Sequence, residues 1–329
     1  MKRIHLYFKE LPRKDRFFPG DRHLITFIKN LTSKKRVPSG VRKVFDNLRE
    51  SFDLLKVDYD INLPFNKIQL GEPVIMLGSG RYVLEGYNKS NPVIAGIGLI
   101  SHPAEWPTMC DEYPVAKYLQ HCEWARDIYV PYYGADKCDM WFAGIDTERW
   151  ASDQKQDKKF DILVYNKIRW ENHHDEDILL RSSVLKKLEI AGLSYNEVIY
   201  GQYQEAEYHA LLLQSKAMIF LCEHESQGFA LLEALSMNVP VFAWDQGFWL
   251  DPNRFAWGEQ KPVPATSVPF FDGSCGMKFK DVLGFEKQFD TFWDRVKSND
   301  FKPREYILEN LTFEKSARRM LDIIDSVYK

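Results

Sequence analysis

Residues 217–244 of this 329-residue chain read AMIFLCEHESQGFALLEALSMNVPVFAW, and this stretch decides the fold. The apolar run at its start predicts a buried strand, and the turn that follows is rich in acidic and polar residues. Gly228 then opens a helical pattern, and a second apolar run after Pro240 predicts another strand. Strand, turn, helix and strand in this order favour an α/β protein with parallel sheets.

The turn before the helix has the properties of an anion site. Gly228 lets the backbone pass close to a ligand, and the free N–H groups around Gln227, Gly228 and Phe229 lie at the positive end of the helix, where a pyrophosphate would bind. Glu225 lies in the loop, and Glu233 lies about one and a half helical turns beyond it. A carboxylate at Glu233 could accept both hydroxyls of a ribose diol.

This segment, Glu225-SQGFALL-Glu233, resembles the E-x7-E signature of retaining GT-B glycosyltransferases that are similar to glycosyltransferase family 4. Two glutamates at this spacing are usually a solvated helix face, but here the surrounding elements fall in the expected order. The resemblance implies a GT-B fold, in which two Rossmann-like domains face each other across a cleft, and a donor sugar hydrogen-bonded by Glu225. It also implies a set of residues that bind the nucleotide sugar. These are Glu233, Ser226, Gln227, Gly228, Phe229 and, with less specificity, Gly40.

Two series of strand-like runs predict two domains. The first contains KRIHLYF, PVIMLGSG, PVIAGIGLISHP, DIYVPYYG and DMWFAG, and the second contains FDILVYN, NEVIYG, AMIFLCE and VPVFAW. The polar stretch ASDQKQDKK between them is typical of a linker, and GIDTERW at 144–150 resembles the hinge of the family. We therefore expect domains at 1–150 and 151–310. The remaining residues, 311–329, predict a helix with Thr312 as N-cap, which the resemblance places back on the first domain.

Other candidate site residues follow predicted strands or turns. Gly40 precedes a helical pattern, as does the family's N-terminal glycine loop, although one glycine here replaces the usual pair. His102 follows the run VIAGIGLIS at the carboxyl end of a strand, where open α/β sheets bind ligands. The resemblance implies that a histidine there contacts the donor sugar. The alternative is a turn histidine before Pro103.

Lys167 and Arg169 follow the strand FDILVYN and are candidates for stabilising the departing diphosphate. The family supplies an Arg and a Lys-Gly pair near this position, and this chain lacks the Lys-Gly pair. Two surface charges therefore remain the alternative interpretation.

The sequence gives no specific metal signature. Asp58-Tyr59-Asp60 is expected to be a polar strand edge, and the run from His173 to Asp177 is expected to begin a helix whose dipole favours acidic residues. The resemblance implies metal-independent transfer, with the nucleotide-diphosphate sugar as co-substrate and no cofactor.

The charge distribution bears on partners and location. Residues 1–50 carry 14 Lys and Arg against 5 Asp and Glu, while the whole chain has a net charge of −3. This basic segment suggests contact with an anionic acceptor or the surface of an anionic membrane, the alternative being an ordinary solvated face. No nucleic-acid partner is expected. Five cysteines without a CxxC pair, and no signal peptide or membrane span, favour a cytoplasmic protein, peripheral at most to the inner face of a membrane.

The expected function is the retaining transfer of a sugar to a glycan, a lipid-linked or another acceptor hydroxyl. Two alternatives stay open at this point. One is a catalytically silent GT-B subunit that binds a nucleotide sugar, and the other is a nucleotide-sugar epimerase or hydrolase. The donor base, the sugar and the acceptor are not identified by the sequence.

Overall fold

A computed structural model describes residues 2–9, 40–152, 158–170 and 174–329, and two parallel sheets organise them. The first sheet has the strand order β2-β1-β3-β4-β5-β6, and every pairing within it is parallel. Its strands are β1 Ile4–Lys9, β2 Tyr59–Ile61, β3 Val74–Gly78, β4 Val93–Gly96, β5 Val115–Gln120 and β6 Cys138–Met140. The helices of this part are α1 Gly40–Leu54, the single turn α2 Met109–Glu112 and α3 Glu123–Tyr133.

The second sheet has the order β11-β10-β9-β7-β8, and it is also parallel. Its strands are β7 Phe160–Lys167, β8 Tyr195–Ile199, β9 Ser215–Cys222, β10 Val241–Trp244 and β11 Gly276–Phe279. The helices are α4 His174–Ile190, α5 Glu205–Gln214, α6 Phe229–Ser236, α7 Val282–Lys297, α8 Pro303–Asn310 and α9 Phe313–Tyr328. α-Helices connect β1 to β2 and β5 to β6 in the first sheet, and β7 to β8, β8 to β9 and β9 to β10 in the second, as the alternating sequence pattern predicts. The connections from β2 to β3, from β3 to β4 and from β10 to β11 contain only short 3-10 turns.

The central strands are buried on both faces. Seven of the eight residues of β9 are buried, and only Lys216 is exposed. A strand covered by helices on both sides has no polar face, which explains why its sequence is a continuous apolar run and not an alternating one. The predicted class, α/β with two domains that are each built on a parallel sheet, is confirmed, and the two sheets fall on either side of residue 150.

The segment that decided the fold is confirmed element by element. Strand β9 ends at Cys222, Gly228 adopts φ 71° and ψ 51° as N-cap, α6 runs from Phe229 to Ser236, and β10 begins at Val241. The left-handed backbone at Gly228 costs glycine little and would strain any residue with a Cβ.

The interpretation of DIYVPYYG as a strand is wrong. These residues belong to helix α3, which buries Ala125, Ile128, Tyr129 and Tyr133, a spacing of three to four residues. Its β-branched and aromatic residues favoured a strand locally, but the buried positions follow the helical period. The strand of this region is β5, which ends at Gln120, before helix α3 begins. The sequence analysis did not predict this strand.

The closing helix is confirmed as α9, with the Thr312 hydroxyl accepting a hydrogen bond from the Lys315 N–H at 3.3 Å. It buries Ala317, Met320, Ile323 and Ile324 in the same apolar cluster as α1 and the first sheet. Helix α9 therefore returns to the first half of the chain.

Two sequence features fall wholly or largely outside the described residues. Most of the basic N-terminal segment lies at 10–39, and the centre of the polar linker lies at 153–157. The expectation of membrane contact through the basic segment therefore stays a prediction.

No helix in the described ranges is both long enough and apolar enough to cross a membrane.

Candidate active site

A cleft of about 650 Å³ opens between the two sheets at the carboxyl ends of their strands. This edge is where open parallel sheets generally bind ligands, because the strand-to-helix loops of both sheets converge there. The first domain contributes the start of α1, the turns after β3, β4 and β5, and one face of α3. The second contributes the turns after β7, β8 and β9, the start of α6 and the segment after β10. Among the predicted site residues, those that line the cleft are Gly40, Lys167, Arg169, Glu225, Ser226, Gln227, Gly228, Phe229 and Glu233.

Glu225, the first acidic residue of the signature, is paired with Lys167. The Lys167 ammonium at the end of β7 donates a hydrogen bond to Oε1 of Glu225, and both side chains are largely buried. Burial opposes the charged form of Lys167, but the ion pair outweighs burial and raises the pKa of the ammonium. Lys167 also lies 4.5 Å from the centre of the Tyr200 ring. The Glu225 carboxylate therefore faces the cleft as a neutralised hydrogen-bond acceptor.

Arg169 supplies a second cation, and its backbone is held by a buried carboxylate. Oε1 of Glu223 accepts hydrogen bonds from the N–H of Arg169 at 2.6 Å and of Trp170 at 3.2 Å. The Arg169 guanidinium lies 4.9 Å from the Trp170 ring and 5.6 Å from the Tyr200 ring. In the part of the chain that the structure describes, no carboxylate forms an ion pair with Arg169. This guanidinium is thus available to an anionic ligand.

His224 stands next to these two cations. Burial, followed by the positive charges of Arg169 and Lys167, lowers the pKa of His224 to about 3. The ring is therefore neutral at physiological pH, and its buried Nδ1 has no hydrogen-bond partner among the residues that the structure describes. It stacks on Trp170 and meets Trp124 edge-on at 5.7 Å. The His224 and Trp124 rings give the cleft an aromatic wall.

Glu233, the second acidic residue of the signature, is buried and paired across the cleft. Oε1 of Glu233 accepts a hydrogen bond from the Lys43 ammonium of α1, which also bonds Glu205 at 3.0 Å. Glu205 in turn pairs with Arg149 of the hinge segment. Burial raises the pKa of Glu233 to about 7 even though Lys43 opposes this shift. A chain of alternating charges therefore connects α1, α6, α5 and the hinge.

Gln227 joins the two domains directly. Its Oε1 accepts a hydrogen bond from the Ala143 N–H at 3.0 Å, and its Nε2 donates to the Ala143 carbonyl at 2.8 Å. Trp124 of α3 makes a second bridge by donating from Nε1 to the Glu225 carbonyl at 2.9 Å. The turn of the signature is thus held in place by the first domain as well as by its own strand.

We expect Gln227→Ala to lower the free energy of unfolding by about 1–3 kcal/mol, because the Ala143 amide and carbonyl would stay buried without partners. Urea denaturation measures this change. Gln260→Ala, at an exposed position, is the matched control and should change stability by less than about 0.5 kcal/mol. Equal effects of the two substitutions would contradict the bridging role.

His102 lies outside the set of residues that line the cleft. It is completely buried, its Nδ1 accepts a hydrogen bond from the Ala104 N–H, and its Nε2 lies 3.3 Å from Glu259. Its ring stacks on Trp257 at 5.2 Å and on Trp249 at 6.0 Å. The His102 ring is therefore enclosed by protein groups.

His121 lines the cleft and was missed by the sequence interpretation. It follows β5 directly, and Nδ1 lies 3.1 Å from the Trp141 carbonyl. Burial lowers the pKa of His121 to about 4, so the neutral ring donates from Nδ1 and leaves Nε2 free of a proton. The largely apolar run VAKYL before Gln120 could have indicated a strand directly before His121. The sequence analysis assigned the strand of this region to DIYVPYYG instead.

A long excursion between β10 and β11 was also missed. Within it, Trp249 N–H donates to the Val263 carbonyl at 2.8 Å, and Ala265 N–H donates to the Gly247 carbonyl at 3.1 Å. Trp249, Val263 and Ala265 pack in the apolar cluster of the first domain together with Trp257. The excursion, residues 246–265, therefore crosses from the second sheet to the first domain and closes one end of the cleft around His102.

The two sequence clusters with residue types that can bind metals have other structural roles. Asp58 and Asp60 pair with Arg3 at the edge strand β2. The acidic run after His173, a residue outside the described ranges, falls at the start of α4. Within those ranges no group of three or more His, Cys, Asp or Glu side chains is arranged to hold a metal ion.

Comparisons with known proteins bear on the fold. No protein-family model and no curated protein matches this chain. AviGT4, a glycosyltransferase involved in avilamycin A biosynthesis, is similar with a TM-score of 0.56 at 12% identity, covering 99% of this chain and 98% of that chain. TarM from S. aureus, solved as a mutant with fondaparinux, alpha-GlcNAc-glycerol and UDP, has a TM-score of 0.54 at 13% identity over 77% and 55%. Pneumococcal O-GlcNAc transferase GtfA, solved with UDP and GlcNAc, has a TM-score of 0.50 at 11% identity over 80% and 58%. At such identities the likeness establishes the GT-B fold alone.

Proposed function

We propose that this chain is a glycosyltransferase that moves a sugar from a nucleoside-diphosphate sugar to an acceptor hydroxyl with retention of anomeric configuration. One observation carries the proposal. One cleft between the two domains is lined by Lys167 and Arg169, by the start of α6, and by Glu225 and Glu233. The same cleft thus offers cations for a diphosphate and carboxylates for sugar and ribose hydroxyls, the groups that a nucleotide sugar needs.

In this proposal the diphosphate binds at the two cations and the start of α6. Cleavage of the anomeric C–O bond leaves negative charge on the diphosphate, which Arg169, Lys167 and the N–H groups around Phe229 stabilise. These groups are already in place before the reaction, so little reorganisation is needed as the charge develops. No step in this account requires a metal.

The sugar binds between Glu225 and His121. Glu225, paired with Lys167, offers carboxylate oxygens as acceptors, and Nε2 of the neutral His121 ring carries no proton and is an acceptor too. The acceptor oxygen forms the new bond to the anomeric carbon on the face that the diphosphate leaves, and its proton passes to the departing diphosphate oxygen. Glu225 positions the sugar hydroxyls and is not the nucleophile. His102 supports the cleft wall in this proposal and does not touch the donor.

The acceptor is proposed to be a glycan or a lipid-linked saccharide. Trp124, Trp249 and His224 line the cleft, and aromatic rings offer flat apolar faces on which sugar rings stack. Contact of the basic N-terminal segment with an anionic membrane remains part of this proposal for a lipid-linked acceptor. A cytoplasmic location is proposed because the five cysteines form no disulfide.

The test is donor turnover by the purified chain. UDP-, GDP- and ADP-sugars are incubated with a panel of saccharide and lipid-linked acceptors, and the product is identified by mass spectrometry and its anomeric configuration by NMR. We expect transfer from one class of donor, with the anomeric configuration retained and with the same rate in EDTA. An inverted product would contradict the retaining mechanism, a loss of rate in EDTA would contradict metal independence, and no transfer from any donor would contradict the activity itself.

A further inference from the structure

Lys43 makes the most direct electrostatic contact between the first domain and the proposed ribose site. It lies in the first turn of α1, and its ammonium reaches across the cleft to Glu233 of α6 and Glu205 of α5. The side chain is held between two rings, with the ammonium 5.5 Å from the centre of Trp150 and 5.3 Å from that of Phe229. This position is therefore fixed by packing as well as by charge.

The two oxygens of Glu233 are in different situations. Oε1 accepts from Lys43, whereas none of the residues that the structure describes bonds Oε2. Glu233 nevertheless lines the cleft, although its side chain is only 4% exposed. One oxygen is thus held by the protein, and the other remains open toward a ligand.

The surroundings of Glu233 make its ionisation depend on Lys43. The charged or titratable groups that face it are Lys43 from α1, Glu205 and Tyr208 from α5, Tyr203 from the preceding turn and Arg149 from the hinge. Burial raises the pKa of Glu233, Lys43 lowers it by charge and by hydrogen bonding, Glu205 raises it and Arg149 lowers it, with a result of about 7. Lys43 is the strongest of the groups that keep this carboxylate ionised.

We propose that Lys43 is a positioning residue for donor binding: it holds Glu233 as an oriented carboxylate, so that Oε2 can accept the ribose hydroxyls of the nucleotide. Because Lys43 belongs to the first domain and Glu233 to the second, nucleoside binding then depends on the closed arrangement of the two domains. This inference rests on the proposed function, since it assigns a role at the same donor site.

The sign of the pH dependence follows from the direction of the shift. In the wild-type protein Glu233 takes up a proton as the pH falls through about 7, and the ribose site loses its acceptor. Without the Lys43 cation the pKa of Glu233 rises further, because burial is then less opposed. Nucleotide affinity should therefore fall at a higher pH in a variant that lacks this charge.

The experiment is a set of calorimetric titrations with UDP, GDP and ADP, and with uridine, guanosine and adenosine, between pH 6 and pH 9. The variants are Lys43→Met, Lys43→Arg and the control Lys216→Met, whose lysine pairs with Asp161 on β7, away from the cleft. We expect Lys43→Met to weaken binding about 10-fold at pH 7.5, to recover toward wild type at pH 9, and to move the pH midpoint up by about one and a half units. Lys43→Arg should retain the wild-type profile, as should Lys216→Met.

The outcomes separate this inference from the proposed function. A uniform loss of affinity in Lys43→Met with an unmoved pH midpoint would show a merely structural role and overturn the inference. If Lys43→Met lost affinity for the diphosphate but not for the nucleoside, Lys43 would contact the phosphates, and this result would also overturn the inference. If the wild-type protein binds none of the three diphosphates, the proposed function itself fails, and this inference fails with it.

Discussion

Replacing Arg169 with alanine is expected to lower kcat about 100- to 1,000-fold, which is the usual cost of removing one preorganised group that stabilises charge in a transition state. Arg169 is the cation of the cleft that forms no ion pair with a described residue, while Lys167 is already paired with Glu225. Its full charge is therefore available to the leaving diphosphate. Steady-state kinetics with the donor found in the turnover screen measures the change.

Two further variants show whether this effect is chemical. Arg169→Lys keeps the charge but loses the planar guanidinium, and it should recover part of the rate. Arg318→Ala removes an exposed arginine of α9 that pairs with Glu314, and it should leave kcat unchanged. A rate loss for Arg169→Ala of less than about 3-fold would show that the diphosphate is stabilised elsewhere.

Glu233→Gln is expected to weaken nucleotide binding about 10- to 100-fold, as follows from the loss of a hydrogen bond to a charged acceptor in a buried site. Glutamine keeps the shape of the side chain and can still accept from Lys43, so the fold should be preserved. The substitution removes the negative charge that ribose hydroxyls would meet. Calorimetry against the nucleoside diphosphate and the nucleoside measures the change.

The matched control for this variant is Glu314→Gln. Glu314 is exposed on α9 and pairs with Arg318, outside the cleft, so its substitution should leave nucleotide affinity as in the wild type. If Glu233→Gln binds the nucleotide as tightly as the wild-type protein, Glu233 does not hold the ribose, and its contacts with Lys43 serve only to join the domains.

Local signals explain what the sequence predicts well. The order of β9, the Gly228 turn, α6 and β10 follows from hydrophobic runs and one glycine, each recognisable within a few residues. The position of Lys167 and Arg169 in the cleft has an equally local cause, because polar side chains just after a buried strand reach the ligand edge of a parallel sheet. The N-cap at Thr312 is equally local.

The features that the sequence does not predict depend on contacts between residues that are far apart in the chain. The contact of Lys43 with Glu233 joins residues 190 positions apart, and no periodicity marks it. The excursion at 246–265 has aromatic residues but no helical or alternating pattern, so its packing on the first domain is visible only in three dimensions. His102 and His121 both follow strands and are both buried, and only the packing of Trp249 and Trp257 on His102 shows that His121 is the one that lines the cleft.

The central claim is that the cleft holds a nucleoside diphosphate with its phosphates at Arg169 and its ribose at Glu233. Titration of the wild-type protein, Arg169→Ala and Glu233→Gln with UDP, GDP and ADP and with the matching nucleosides tests it most directly. We predict that one diphosphate binds the wild type, that Arg169→Ala weakens the diphosphate but not the nucleoside, and that Glu233→Gln weakens both. Binding of no diphosphate, or equal binding by all three proteins, would contradict the account.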